Sequence, residues 1–219
     1  MRWEVVGRFE TQILPFLHEI KSVAVVGGGV DEPELRILES KIRITSDFFG
    51  IDAQDIPKEN FTFLDLNKHA ELETNYDLVI CSQVLEHIWN HEMAFKNLTN
   101  LVKDNGFIWI GCPASNYAHG SPHYFSAGFS PKFVTGHLES LGFRILLEEA
   151  IGSKRYYFLT HGLHVWASHK MHNFPMLFGI SRFYPKEVLF RLVATFINPK
   201  VSSNIKWATE TIVLAQKKS

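Results

Sequence analysis

The chain has 219 residues, 46% hydrophobic and 21% charged; such values suit one globular domain with a sizeable core and exclude global disorder. A net charge of -1 supplies no basic field, which argues against nucleic acid or an anionic membrane as partner. Its two cysteines, Cys81 and Cys112, lie in apolar runs and read as buried free thiols of a reducing, cytoplasmic setting, not as a disulfide or metal framework.

Taken in chain order, Trp3, Val6, Phe9, Ile13, Phe16 and Leu17 recur at helical spacing and predict an N-terminal helix within 1–21. The start lacks a signal-peptide layout, and no run is long and apolar enough for an integral membrane segment. Ser22–Val26 is a β-branched strand that ends in Gly27-Gly28-Gly29. Asp31-Glu32-Pro33-Glu34 then reads as a helix start, with Asp31 as cap and Pro33 in the first turn. Leu35, Ile37, Leu38 and Ile42 continue that helix. Strands follow at Phe48–Ile51, ending at Asp52, and at Phe61–Leu64, ending at Asp65. A third, Asp77–Cys81, leads into a helix-like Val84–Ile88. Met93–Val102 is helical, Phe107–Ile110 a strand, Phe133–Leu141 helical, Phe143–Leu147 a strand, and Thr211–Ala215 a final strand. Strands alternating with helices imply a mostly parallel sheet covered on both faces, within a single domain over 1–219.

Two stretches interrupt the alternation. Residues 111–131, rich in Gly, Ser, Pro, His and Tyr, read as a long functional loop. Residues 156–200 form an aromatic, helical insertion before the last strand, suited to a lid over an apolar substrate, a homodimer element or extra core. His161, His164, His169 and His172 fall there at near-helical spacing, but no Cys or carboxylate cluster accompanies them, so no metal site is expected.

In open α/β sheets, ligands bind beyond the carboxyl ends of the strands. Gly27 and Gly29 at the first such end leave room for a nucleotide-like ligand to approach the backbone. The free N–H groups of the next helix favour an anion. Asp52 at the second end can accept from ribose hydroxyls, and Asp65 at the third from an exocyclic amine. Each residue has a plain structural reading beside the functional one: a tight turn for the glycines, a loop cap for either aspartate.

Together, Val23-Ala24-Val25-Val26-Gly27-Gly28-Gly29, Gly50-Ile51-Asp52, Phe63-Leu64-Asp65 and Tyr76-Asp77-Leu78-Val79-Ile80-Cys81-Ser82-Gln83-Val84-Leu85-Glu86-His87-Ile88 resemble the class I S-adenosylmethionine-dependent methyltransferases, small-molecule type. The resemblance implies a Rossmann-like α/β fold with a seven-stranded, mostly parallel sheet, helices on both faces and a last strand that is antiparallel. It implies S-adenosyl-L-methionine as cofactor. Gly27, Gly28 and Gly29 would meet the methionine part, Asp52 the ribose, Asp65 and Leu66 the adenine, and Ser82 and Gln83 the floor near the sulfonium. Two positions depart from the family pattern: Val25, where an acid is common, and Asp31, where a small residue is common. A dinucleotide site is disfavoured because Glu32 stands where its third glycine belongs.

Transfer to a hydroxyl or amine needs alignment and a proton acceptor. The candidate bases are His119 and His123 in the long loop, and His87 after the fourth strand, which could instead pack and bond locally. Tyr124 and Tyr117 are candidate acceptor contacts. The expected partner is a small molecule, such as a sugar or specialised metabolite. The alternative reading is a non-catalytic binding or scaffold protein on the same fold.

Overall fold

The computed structural model describes residues 3–51, 61–72, 75–116, 122–154, 157, 200–201 and 205–219. Asp52, Tyr117 and His119 lie outside the described residues, as does the 156–200 insertion apart from residues 157 and 200.

The first helix, α1 (Trp3–Ile13), buries Val5, Phe9 and Ile13, which lie four residues apart on one stripe. It does not run on to residue 20 as the spacing predicts. Pro15 cannot donate to an α-helical ladder, and the chain tightens into a 3₁₀ segment, Leu14–Glu19. Strand β1 (Ser22–Val26) follows, then α2 (Pro33–Glu39), β2 (Thr45–Gly50), β3 (Phe61–Phe63) and β4 (Tyr76–Ser82). Val84–Ile88 is not an α-helix; it holds a 3₁₀ turn, Leu85–His87. Next come α3 (His91–Asn100), β5 (Val102–Pro113), α4 (Pro131–Ser140), β6 (Phe143–Gly152), the two-residue β7 (Lys200–Val201) and β8 (Glu210–Lys217). Asn90 caps α3 by accepting from Met93 N, and Ser130 caps α4 by accepting from Phe133 N.

One sheet runs in the order β3-β2-β1-β4-β5-β8-β6-β7. β1 pairs in parallel with β2 and β4, β2 with β3, and β4 with β5. β8 inserts antiparallel between β5 and β6. Seven strands thus form the expected mixed sheet, and short β7 adds an antiparallel edge to β6.

Residues of each central strand alternate between two cores. Val23, Val25, Leu78, Ile80, Phe107, Trp109, Ile212 and Leu214 face α1 and α2. Ala24, Val26, Val79, Cys81, Ile108, Ile110, Val213 and Ala215 face α3 and α4. Both faces are covered, so these strands read as unbroken apolar runs. Trp109 is fully buried and meets Phe9 edge to face at 5.1 Å, locking α1 over the middle of the sheet. At the opposite end of the sheet from the Gly27 turn, Asp77 Oδ2 accepts from Lys21 N, Ser22 N and Ser22 Oγ, each at 2.9 Å, while Oδ1 pairs with Lys103. Burial alone would raise the Asp77 pKa, but Lys103 and the Lys21 and Ser22 donors outweigh it and hold the carboxyl below its ordinary value. This clamp sets the register of β4 against β1.

Candidate active site

The parallel strands bring Val26, Gly50, Ser82 and Pro113 to one edge of the sheet. Because β8 runs the other way, its first residue, Glu210, reaches that edge opposite Pro113.

At the end of β1, Gly27 adopts φ +74°, a left-handed conformation that favours glycine. Its N–H donates to Phe49 O at 2.8 Å, and a Cβ on it would lie 2.3 Å from Val84 Cγ2. The turn is therefore closed on the side of Val84. At Gly29 a Cβ would meet nothing within 4 Å, so the outer side of the turn is open to a ligand. The residues present fit an S-adenosyl group in this respect: the backbone is bare where such a ligand has to approach.

Beneath the turn the chain does something its sequence pattern did not predict. Asp31 does not cap α2; it is exposed and pairs with Arg36. The cap position is Glu32, with no side-chain cap bond. Glu34 is no capping partner either. It is fully buried, with Oε1 accepting from Ser82 Oγ at 3.2 Å and the Trp109 indole facing the same carboxyl without closing a full hydrogen bond. Glu32 folds under Gly28, its Oε2 lying 2.5 Å from where a Gly28 Cβ would be. Burial, reinforced by a hydrogen bond and charge from Glu34, pushes Glu32 up to about 8, and burial also raises Glu34. Glu32 fills the space that a dinucleotide site would need for its third glycine, consistent with that reading being set aside.

At the end of β4, Gln83 adopts φ 57°, rare for a residue with a side chain. Two hydrogen bonds hold it there: its N–H donates to Gly111 O at 2.7 Å, and Nε2 donates to Glu210 Oε2 at 2.9 Å. Glu210 and Glu86 are both buried. Burial, then the charges of Glu86 and Glu210, raise the Cys112 thiol; burial, then Glu86 and Glu32, raise Cys81. Both cysteines are inert buried thiols at neutral pH.

The loop after β5 folds back over the same edge. Phe125 N and Ser126 N donate to Glu86 O at 2.8 and 3.3 Å. His87 Nδ1 lies 2.5 Å from His123 O; a carbonyl only accepts, so Nδ1 carries the proton in this contact. The ring of His123 is exposed. Tyr124 donates its hydroxyl to Asn116 O at 3.1 Å, and burial followed by the Glu86 charge raises its pKa.

The remaining expected residues sit as follows. Asp65 follows β3; its carboxylate accepts from Asn67 N at 3.0 Å and pairs with Lys68, which holds its pKa below the ordinary value. The Leu66 side chain is fully buried in the core on the α3/α4 face. Ser82 is engaged with Glu34. The residues that sequence reasoning missed are the buried acids. A signal existed for Glu34: it stands one helical turn before buried Leu38, on the inward face of α2. Among the described residues no group of three His, Cys, Asp or Glu is arranged to hold a metal ion, and no helix is long and apolar enough to cross a membrane.

The family described as "Methyltransferase domain" matches residues 14–164. No curated protein matches the chain in sequence. Solved structures share its architecture at low identity. The [4+2]-cyclase SpnF is 15% identical with a TM-score of 0.60, over 97% of this chain and 81% of its own. An O-methyltransferase from a trans-AT PKS multienzyme of Brevibacillus brevis, in complex with S-adenosyl-L-homocysteine, is 16% identical with a TM-score of 0.60, over 98% and 72%. Coclaurine N-methyltransferase, bound to N-methylheliamine and S-adenosylhomocysteine, is 12% identical with a TM-score of 0.58, over 97% and 72%. The cyclase among them shows that the fold alone does not fix the reaction, whereas the family match, which spans most of the chain, fixes the family. The chain belongs to the methyltransferase-domain family and is a class I S-adenosylmethionine-dependent methyltransferase.

Proposed function

We propose that this enzyme methylates an oxygen or nitrogen of a small molecule, with the post-β5 loop forming the acceptor side of the site. The observation that carries this reading is the His87–His123 contact at 2.5 Å, which draws the loop over the carboxyl end of β4 beside Gln83 and Glu210. A loop drawn in over this edge suits a compact acceptor. The O- and N-methyltransferases that share the fold, one of them bound to N-methylheliamine, support the same class.

In this reading Gly27, Gly28 and Gly29 face the methionine part of the cofactor, Asp52 the ribose, Asp65 and Leu66 the adenine (Leu66 through its backbone), and Ser82 and Gln83 the floor. The cofactor supplies an electrophilic methyl group on sulfur. The chain's task is to align the acceptor with it, exclude water and take a proton. Alignment can account for roughly 7–11 kcal/mol of barrier lowering in favourable cases, and a placed base for about 10²–10⁴-fold. His87 donates Nδ1–H to the loop, so it acts by holding His123 in position. That leaves the exposed His123 ring, and His119 of the same loop, as bases, with Tyr124 and Tyr117 ordering the acceptor.

Methyl transfer from labelled S-adenosylmethionine to a panel of sugars, phenols and amines, alongside RNA and protein, tests the acceptor class. Label moving only to RNA or protein refutes it. With an acceptor in hand, His123→Ala and His119→Ala are each expected to lower turnover at least tenfold more than cofactor affinity, and Asp52→Ala to weaken cofactor binding about tenfold or more.

A further inference from the structure

Two acids, Glu32 and Glu34, lie under the glycine turn. Glu34 is 0% exposed, yet its Oε2 has no hydrogen-bond partner, and neither does Glu32 Oε1, whose atom is also buried. Among the described residues no Lys, Arg or His forms an ion pair with either side chain. Buried oxygens of this kind cost free energy, and a donor brought from outside would stabilise them. Their position says what kind. The point where a Gly28 Cβ would sit is 2.5 Å from Glu32 Oε2 and 2.9 Å from Val25 Cγ1. The strand therefore offers only a methyl beneath the turn, and the helix that follows offers the carboxyl. The other face of the same turn is open at Gly29.

We propose that the Glu32–Glu34 carboxyl pair is the anionic partner of the cofactor's α-ammonium group, supplied from α2 because β1 has valine at position 25. The proposal rests on S-adenosylmethionine being the cofactor. Ser82 orients the pair through Glu34, and the Trp109 indole faces it from β5. The neighbouring Cys81 thiol is held neutral by burial and adds no charge to the pair. Without ligand, the pair keeps a proton between its two carboxyls, because two adjacent buried carboxylates repel. An ammonium ion arriving beside them replaces that proton, which passes to the buffer. Two carboxylates then face one cation, and charge balances with one H⁺ released.

Isothermal titration calorimetry at pH 7 in two buffers of different ionisation enthalpy counts released protons. S-adenosylhomocysteine carries the amino-acid end and 5′-methylthioadenosine lacks it. The wild-type protein should release about half to one proton on binding the first and none on binding the second. Glu32→Gln should abolish the release and weaken S-adenosylhomocysteine about tenfold or more, leaving 5′-methylthioadenosine unchanged. Glu32 is the variant of choice because Glu34 is fully enclosed, and a matching circular-dichroism spectrum confirms that the variant folds. Equal proton counts for the two ligands, or an unchanged affinity in Glu32→Gln, overturns the proposal while leaving the cofactor assignment intact. Failure of both ligands to bind wild-type protein refutes the assignment itself, and the proposal with it.

Discussion

Replacing Gly27 by alanine probes the turn on which the whole site is built. Two costs follow from its geometry. At φ +74° an alanine pays the left-handed penalty, roughly 1–2 kcal/mol. Its methyl would also lie 2.3 Å from Val84 Cγ2, and Val84 is buried at 1% exposure, so the core must shift at an overpacking cost of about 1–3 kcal/mol. The sum is about 2–5 kcal/mol, or a melting temperature lower by roughly 5–15 °C for a chain of this length. The costs separate in a double-mutant cycle. Val84→Ala removes the clash but not the backbone strain, so Gly27→Ala and Val84→Ala should couple favourably by about 1–3 kcal/mol, leaving the left-handed penalty behind. Thermal denaturation of the four proteins measures it. A melting temperature for Gly27→Ala within a degree of wild type, or strict additivity with Val84→Ala, would refute the argument that residue 27 is pinned between strand and turn.

Two further outcomes concern pH. Glu32 moves from its ordinary 4.5 to about 8, so the ligand-free fold binds more protons than the unfolded chain between those values. Its contribution is fully present below about pH 4.5 and is lost as the pH rises through 8. Glu32→Gln should therefore stabilise the protein at pH 9, by about 2–4 kcal/mol after discounting for partial solvent contact, and not at pH 4.5; melting curves that keep a constant offset across that range contradict it. Asp77 has the opposite sign: its depressed pKa makes its contribution present above about pH 4 and lost on acidification. Asp77→Asn should cost about 1–3 kcal/mol at pH 7, with the two proteins converging on acidification, and denaturant titrations across that range read the difference.

Much of the scaffold is legible in the sequence because β1, β4, β5 and β8 are enclosed on both faces, and enclosure writes itself as an apolar run. Lengths are less legible. β6 continues past Leu147 through Glu148 and Glu149, charges that end an apolar run but are tolerated because they pair with Lys132 and Arg8. The 3₁₀ turn at Leu85–His87 is too short to show a period of its own, so its sequence reads as helix-like. Within the site, Gly27 announces itself because few residues can take its place. The buried acids do not: a carboxylate in a helix start reads as a cap, and only the inward phase of α2 betrays Glu34. Asp65 shows the converse, a carboxylate at a strand end that is tied to Asn67 and Lys68 by its own loop.

The placement of β8 between β5 and β6 bears on how the chain comes into being. Until residues 210–217 have left the ribosome, two strand flanks stand bare, each with a row of unsatisfied amides and carbonyls that any stray strand could zip onto. Half-made chains are therefore exposed to mispairing for the whole interval between synthesis of β6 and of β8. Moving those eight residues ahead of α1 by circular permutation would shorten that interval, and yield in the absence of chaperones would register the change.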